Sequence, residues 1–311
     1  MRSYLSRGER RGLSLPEMMV TLVLLGIVAG GIMTIVMRQQ QFYRSATEVI
    51  DTRQQIRQAV AVVPVDVRGV SSVGSDILEM TDSSLFVRGN IGSAVMCSHT
   101  NSGSGSTITI PPTDLSGGKY FTTFLTRPKL NDVVLIFDDK APGNQDDDWV
   151  PYTISGIDST LVGCTSFTDA VNDATRYRYT YALSTQLSAT IIDGAPIRFA
   201  RQVKYSLYQS PSDALWWMGY RECRGNGSSC TAIQPVAGPY RQYAAGDTLN
   251  SGLSFVYRDS TGVPTTTPTM VARVELFVRG KTQSPVALGG GKTSAVYRDY
   301  QKVTIALRNR Q

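Results

Sequence analysis

A single carboxylate stands at the start of the longest uncharged segment in the chain. Glu17 is followed by twenty residues, Met18 to Met37, none of which is charged. Such a segment is long enough to cross a bilayer core as a helix, and a carboxylate placed there costs about 2.5–3.5 kcal/mol. A charge kept at that cost usually has a function, and the chemistry it offers in apolar surroundings is ion pairing with a cation.

Basic residues precede this segment. By the positive-inside rule, Arg7, Arg10 and Arg11 predict that the N-terminus stays in the cytoplasm. A cleaved signal peptide and a plain signal anchor would both show this pattern. The segment is long for the apolar part of a signal peptide, and no small-x-small cleavage site closes it. A plain anchor explains neither Glu17 nor the nearby Gly12.

The stretch from Arg10 to Glu17 resembles the N-terminus of type IV prepilins and pseudopilins. In that family a short basic leader ends in glycine, a peptidase cleaves after it, and glutamate is fifth in the mature chain. The resemblance implies cleavage after Gly12, with Leu13 as the new N-terminus and the site of N-methylation. Pro16 also fits the family pattern, whereas the family most often has phenylalanine where this chain has Leu13.

The resemblance also implies that Glu17 and Leu13 serve subunit assembly. Cleavage after Gly12 creates a cationic amine on Leu13, and a neighbouring subunit shifted along the axis can bring its amine to the Glu17 carboxylate. Each charge alone is costly in apolar surroundings, so pairing would fix the register between subunits. The implied partners are a prepilin peptidase, other major and minor pilins or pseudopilins, and an inner-membrane assembly platform.

Composition sets broad limits on function. The 311-residue chain has a formal net charge of +6, and residues 1–12 contain four arginines and one glutamate, so the remainder carries about +3. That bias is too weak to indicate nucleic acid as a partner. The basic residues near the C-terminus are those of a solvated strand face: Arg298, Lys302, Arg308 and Arg310.

A leader is predicted at 1–12, followed by one long helix. Residues 13–37 would span the membrane, and 38–64 would continue the helix in the periplasm until Pro64 ends or kinks it. Past the span, apolar or small residues recur at the three-to-four spacing of a helix with one buried face. These residues are Phe42, Ala46, Val49, Ile56, Val60 and Val63. Arg53 occupies the one position of this series that is neither apolar nor small.

Residues 65–311 predict one globular, β-rich periplasmic domain. Its alternating runs predict strands at 84–88, 132–137, 177–181, 203–208, 253–257, 271–279 and 302–308. The last two would form an antiparallel pair joined by the loop 289–292, and the Ser/Gly-rich stretch 100–106 is interpreted as a flexible loop. The fold class is therefore α+β, with a long N-terminal helix packed on an antiparallel sheet, as in pilins.

Weaker motifs resemble the J-type minor pseudopilins and their pilus counterparts. They are the helix 54–57 leading to 66–68, and the segment 252–259 before a Val-Ala-Arg-Val-Glu strand. This resemblance implies a minor subunit that initiates or caps a type II secretion pseudopilus. The chain would sit in the bacterial inner membrane by a single pass, with its C-terminal domain in the periplasm, until extraction into the filament. A type IV pilus minor pilin is the alternative, followed by a plain anchored binding module or an anchored enzyme.

Four cysteines lie beyond the apolar segment, in a compartment where disulfides form. Cys223 and Cys230 bracket a short flexible loop, which favours a bond between them and leaves Cys97 with Cys164. Three pairings are open to four cysteines, and the sequence alone does not choose among them. Zinc binding is the rival, but it would need Cys-x-x-Cys or histidine pairs.

No residue pattern predicts catalysis, and no catalytic residue is assigned. His99, the one histidine, has no evident acid–base partner and is interpreted as a solvated loop residue. Asp146, Asp147 and Asp148 form the weak calcium candidate, because some pseudopilins hold calcium in a loop. Their spacing does not match an EF-hand, so a solvated acidic loop is the simpler interpretation, and no other cofactor is expected.

Trp216 and Trp217 are adjacent in a segment interpreted as a strand. Neighbouring strand residues face opposite sides, so one tryptophan is predicted in the core and the other partly exposed. A surface for a partner is the alternative interpretation of this pair.

Overall fold

The computed structural model describes residues 14–140, 147–161, 164, 166–169, 171–247, 249–287 and 294–307. Over these residues the chain forms one long helix and fifteen strands, with short 3-10 turns at Ser116–Gly118, Gly225–Gly227 and Pro268–Met270. In chain order the elements are α1 Leu15–Val67, β1 Ile77–Met80, β2 Ser84–Val95, β3 Ser98–Ser102, β4 Gly105–Ile110, β5 Thr123–Phe124, β6 Val133–Asp138, β7 Asp148–Thr160, β8 Arg178–Leu183, β9 Pro196–Gln209, β10 Trp216–Arg224, β11 Ser229–Cys230, β12 Gln234–Tyr240, β13 Leu253–Arg258, β14 Arg273–Lys281 and β15 Arg298–Ala306.

Contacts divide the chain into two compact units. The first comprises the described residues of Met1–Asp51 and Thr282–Tyr297, and it contains most of α1. Within it the Thr282 backbone N–H donates to the Tyr297 carbonyl over 3.0 Å. The Ser284 N–H donates to Oε2 of Glu48, also over 3.0 Å, so the C-terminal segment of this unit is bound to the helix.

The second unit, Thr52–Lys281 with Arg298–Gln311, contains the last turns of α1 and the sheet. Every strand pair that the structure describes is antiparallel. The main path runs β13-β14-β12-β10-β9-β6-β7-β8-β4-β3, with β15 on β14 and β2 on β9. One long helix followed by an antiparallel sheet confirms the predicted α+β class.

The central strand is β9. Its first half pairs with β6 and its second half with β10, while β2 pairs with its other edge from Pro196 to Ser206. Two apolar clusters consequently meet along β9: Phe199 belongs to one, and Val203 and Tyr205 belong to the other. The strand therefore links the two halves of the core.

The last turns of α1 bury one face against the second cluster. Its buried residues follow the three-to-four spacing of a helix, and they are Thr52, Ile56, Ala59, Val63 and Val67. A Cβ on Gly280 of β14 would lie 2.8 Å from Cγ2 of Thr52 and 3.1 Å from Cδ1 of Ile56. The absence of a side chain at Gly280 thus allows the strand to approach the helix.

Hydrogen bonds also connect the last turns of α1 to the sheet. The Gly238 N–H donates to Oε1 of Gln55 over 3.1 Å, and the Tyr240 hydroxyl donates to the Gln55 carbonyl over 2.7 Å. Near the end of the helix the Tyr205 hydroxyl donates to Oδ2 of Asp66 over 2.6 Å. Burial raises the pKa of Asp66 above its ordinary value.

The end of the helix differs from the prediction. Pro64 neither ends the helix nor stands at its boundary, because α1 continues to Val67. Proline lacks one backbone donor, but this proline lies in the last turn and is buried, and the Arg68 N–H donates to its carbonyl over 3.1 Å. Burial of the apolar face that includes Val67 offsets the lost hydrogen bond.

The stretch 100–106 is a hairpin and not the flexible loop that its composition indicated. Strands β3 and β4 pair from Ser98–Thr109 to Ser102–Gly105. Gly103 adopts the left-handed conformation that the tight turn needs, with φ of 58°. Ile108 on β4 is fully buried, so apolar packing stabilises a segment whose own composition is polar.

Each of the seven predicted strands overlaps a strand of the structure, and the last two form the antiparallel pair β14–β15. Several short or irregular strands were not predicted. The thirteen-residue β7 is the largest of them, and its burial does not alternate regularly between the two faces. A strand of that kind has no period-two pattern for sequence reasoning to detect.

Shortening Ile56 by one methyl group tests the packing of α1. We expect Ile56→Val to lower the free energy of unfolding by about 1 kcal/mol, since the side chain is 3 % exposed and belongs to the core. Ile50 on the same helix is 61 % exposed, so Ile50→Val should have no measurable effect. Chemical denaturation of the full chain in detergent would measure both, and equal effects would contradict the packing described here.

The N-terminal segment as candidate assembly site

The first turn of α1 is formed by Ser14, Leu15, Pro16 and Glu17. The Ser14 carbonyl accepts the Met18 N–H over 3.1 Å, which places Ser14 at the N-cap. Pro16 is tolerated in this turn because its missing N–H would have no partner within the helix. The Ser14 N–H points back to Oε2 of Glu17 over 3.4 Å, as in one arm of a capping box.

This geometry sets the environment of Glu17. Its carboxylate lies at the helix N-terminus, where the helix dipole favours negative charge. Its hydrogen bonds to Ser14 are long, 3.4 Å from the backbone N–H and 3.5 Å from the hydroxyl, and the residue is exposed. The carboxylate is therefore held in place while it remains accessible to a cation from outside the chain.

The helix that follows is apolar and uncovered. Every residue from Leu15 to Met37 is exposed, and the helix is long and apolar enough to cross a membrane by length and composition. Apolar surface of this extent needs cover from lipid or from neighbouring proteins. One such helix near the N-terminus fits a single-pass membrane anchor.

Polar groups within this apolar stretch are satisfied locally. The hydroxyl of Thr21 donates to the Met18 carbonyl and that of Thr34 to the Gly30 carbonyl, each over 2.9 Å. Hydroxyls bonded in this way cost little in lipid. Glu17 is consequently the one charged side chain between Ser14 and Met37, as the sequence indicated.

No contact among the described residues requires a glycine at the three glycine positions of this stretch. A Cβ on Gly26, Gly30 or Gly31 would meet nothing within 4 Å. Small residues allow helices to approach closely in membranes, and packing against a neighbouring helix competes with simple tolerance as their explanation.

Gly12 and Leu13 lie outside the described residues. Cleavage after Gly12, N-methylation of Leu13 and the pairing of its amine with Glu17 therefore stay predictions. The structure describes only one member of the proposed ion pair, the exposed Glu17 carboxylate at the start of α1.

Comparison with known proteins bears on this segment. Residues 7–33 match the family model described as the prokaryotic N-terminal methylation motif. The chain carries a pilin-type signal. The match supports the broad superfamily of type IV pilins and pseudopilins, and it implies processing by a prepilin peptidase and assembly with other pilins. No curated protein and no solved structure matches the chain.

A pilin-type signal indicates a structural, pilin-type protein, and proteins of this type are usually not enzymes. The matched residues include Gly12, Leu13 and Glu17, but they end at residue 33, inside α1. The part played by the sheet domain of this pilin-like chain must therefore be inferred from its own residues.

The cysteines of the sheet domain form two disulfides. Cys97 is joined to Cys164, with their Cα atoms 5.6 Å apart, and Cys223 is joined to Cys230. The second bond links directly opposite residues of β10 and β11. This is the pairing that the sequence favoured, and because no cysteine is free, zinc binding by these thiols is excluded.

His99 is not the solvated loop residue that was predicted. It lies on β3, and its Nδ1 is 2.8 Å from Oδ1 of Asp193, with 26 % of the side chain exposed. The backbone N–H of His99 donates to the same oxygen over 3.1 Å. The pair connects β3 to the turn that precedes β9. Sequence reasoning missed this partner because Asp193 lies far from His99 along the chain.

The calcium candidate stays a prediction. Asp146 lies outside the described residues. Asp147 precedes β7, and Asp148 is the first residue of that strand. Oδ1 of Asp148 accepts the Trp149 N–H over 2.8 Å, and Oδ2 lies 3.9 Å from Nζ of Lys140. Among the residues that the structure does describe, no group of three or more histidines, cysteines or carboxylates is placed to hold a metal.

Neither tryptophan of β10 is fully buried. Trp216 packs against the core cluster while remaining partly exposed, and the indole N–H of Trp217 donates to Oδ2 of Asp213 over 3.2 Å. The prediction that one of them lies in the core is met in part, because Trp216 packs against the core cluster but is not fully buried. Strand β10 pairs at Trp216 with both β9 and β12, and the pairing with β12 shifts register between Trp216 and Met218.

Proposed function

We propose that this chain is a minor pilin-like subunit that helps to initiate or cap the pseudopilus of a type II secretion system, as the J-type minor pseudopilins do. The observation that carries the proposal is the match of residues 7–33 to the N-terminal methylation motif, on a helix with Glu17 at its first turn. The large sheet domain supports a minor role, because a subunit repeated many times along a filament is usually smaller.

Assembly follows from the charges at the start of α1. After cleavage, the Leu13 amine of one subunit pairs with the Glu17 carboxylate of the next, and each charge removes the cost of the other in apolar surroundings. The uncovered helix from Leu15 to Met37 then exchanges lipid for the helices of neighbouring subunits. Before assembly the same helix anchors the chain in the inner membrane, with the sheet domain in the periplasm.

Cleavage is the first step to test. We expect the full chain, co-expressed with a prepilin peptidase, to yield a mature form that begins at Leu13, as measured by mass spectrometry of the N-terminus. Gly12→Ala should reduce that product by at least about tenfold, since the extra methyl group stands at the scissile bond of the proposed site.

Gly8→Ala is the matched control, because it adds the same methyl group within the leader but away from the scissile bond. Cleavage of this variant should be unchanged. An uncut wild-type chain, or a cut beyond Met37, would contradict the proposal and leave a plain anchor or a secreted protein.

A secretion pseudopilus and a type IV pilus make the same demand on the N-terminus. Deleting the gene distinguishes them: loss of protein secretion with normal pili supports the proposal, whereas loss of pili with normal secretion would assign the chain to a pilus.

A further inference from the structure

A basic cleft lies on the outer face of the C-terminal strands. Val274, Leu276 and Val278 of β14 face the core, so the alternate residues of this strand face outward. There Phe277 and Arg279 line a cleft of about 370 Å³. The other lining residues are Arg241, Leu249, Arg298, Asp299 and Tyr300.

Three guanidinium groups in this cleft lack a carboxylate partner. Among the residues that the structure describes, Arg241, Arg279 and Arg298 form no salt bridge. Arg279 is only 8 % exposed, and its Nη1 donates to the Ser251 carbonyl over 3.2 Å and to the Ser254 hydroxyl over 3.3 Å. A buried guanidinium whose hydrogen bonds go only to neutral acceptors lacks a direct counter-ion.

The nearby carboxylates are engaged elsewhere. Oδ2 of Asp299 accepts Nε of Arg53 over 3.1 Å, and its Oδ1 accepts the Tyr300 N–H over 2.9 Å. Oδ1 of Asp247 accepts the backbone N–H of Leu249 over 3.0 Å, and the charge of Asp247 acts on Arg279 without forming a salt bridge. The cleft therefore keeps an excess of positive charge.

The arginines also repel one another. Burial, and then the charge of Arg298, lower the pKa of Arg241 below its ordinary value. Burial, and then the charge of Arg241, lower the pKa of Arg279. An anion bound between the three groups would counter the repulsion between them.

The remaining lining selects among anions. Phe277 has the Cζ of Arg279 5.2 Å from its ring centre, and Leu249 and Tyr300 add apolar surface that is 75 % and 70 % exposed. A small, fully polar anion would leave this surface uncovered. A carboxylate beside an apolar side chain would use the arginine forks and the apolar surface together.

We propose that this cleft binds an acidic peptide segment of a partner protein, in which glutamate or aspartate alternates with apolar residues. The inference does not depend on the role proposed for the N-terminal helix. It assigns a binding surface to the sheet domain, where the methylation motif says nothing.

The test is a binding titration of the purified full chain in detergent. The probe is a fluorescein-labelled peptide in which glutamate alternates with phenylalanine, and fluorescence anisotropy reports its binding. Arg241→Gln and Arg298→Gln should each weaken binding by about tenfold or more, since each removes a charged hydrogen-bond donor. Arg224→Gln, at an exposed arginine on β10, is the matched control and should bind as the wild type does.

The same titration can overturn the proposal. Arg298 is exposed, so Arg298→Gln should keep the thermal unfolding midpoint and carry the test even if Arg241→Gln lowers it. Absence of peptide binding, equal binding of a glutamine-substituted peptide, or equal weakening by Arg224→Gln would each refute the acidic-peptide site. Tighter, arginine-dependent binding of inorganic phosphate or oligothymidylate would refute it in favour of a phosphate ligand.

Discussion

Glu17→Gln should leave the chain cleaved and inserted but exclude it from the filament. The substitution preserves the size of the side chain and its place in the first turn of α1, and it removes only the charge. In a filament the amine of the neighbouring subunit would then be buried without a counter-ion, at a cost of about 2.5–3.5 kcal/mol. Incorporation should fall about 100-fold, measured by immunoblotting of sheared filaments against the membrane fraction.

Asp51→Asn is the control for this result. Asp51 is an exposed carboxylate on the same helix, beyond the apolar segment, and its neutralisation should leave incorporation unchanged. Glu17→Asp restores the charge on a shorter side chain and should recover part of the incorporation. If the Glu17→Gln chain entered filaments as well as the wild type does, ion pairing at Glu17 would not be the assembly contact.

Asp132→Asn should destabilise the sheet domain by about 3–5 kcal/mol, the cost of leaving a buried charge without its partner. Arg201 of β9 donates to both oxygens of Asp132, from Nε over 3.0 Å and from Nη2 over 2.8 Å. Both residues are less than one-tenth exposed. The hydrogen bond with Asp132 raises the pKa of Arg201. Arginine stays protonated at neutral pH even without such a partner, so the guanidinium remains charged when the carboxylate is removed.

Denaturant unfolding would measure this effect, with two comparison variants. Glu222 lies at the more exposed side of the same network, with Oε1 3.6 Å from Nη1 of Arg201 and a salt bridge to Lys129. Glu222→Gln should therefore lower the free energy of unfolding by less than about 1 kcal/mol. Replacing the pair by Asp132→Leu with Arg201→Met should recover most of the loss. Equal costs for Asp132→Asn and Glu222→Gln would show that the buried pair is not the determinant.

Local patterns in the sequence predicted much of this protein. The charge pattern around Gly12 and Glu17 spans few residues. In β13 and β14 the core residues recur at every second position of a single strand, so that pattern is local too. For that reason the helix, the α+β class and seven strands could be predicted before the structure. Pro64 misled the prediction of the helix end, because burial of the final turn outweighed the local preference of one residue.

Features that depend on distant residues could not be predicted. Arg201 and Asp132 are 69 positions apart, and His99 and Asp193 are 94 apart. The basic cleft combines Arg241, which follows β12, with residues of two further strands. Only the register of β14 against β15, with Arg279 opposite Tyr300, brings those residues together. No periodicity within one segment carries that information.

The attachment of α1 to the sheet has a consequence for the order of folding. Gln55 bonds to residues 183 and 185 positions later, and Arg53 bonds to Asp299, 246 positions later. These partners of the helix are thus synthesised late, and contacts of such long range make folding slow. Until β14 emerges, the face of α1 that contains Ile56 lacks the part of its cover that this strand supplies at Gly280. Apolar surface that stays exposed during synthesis is prone to aggregation, so we expect this face to be most vulnerable until β14 has emerged.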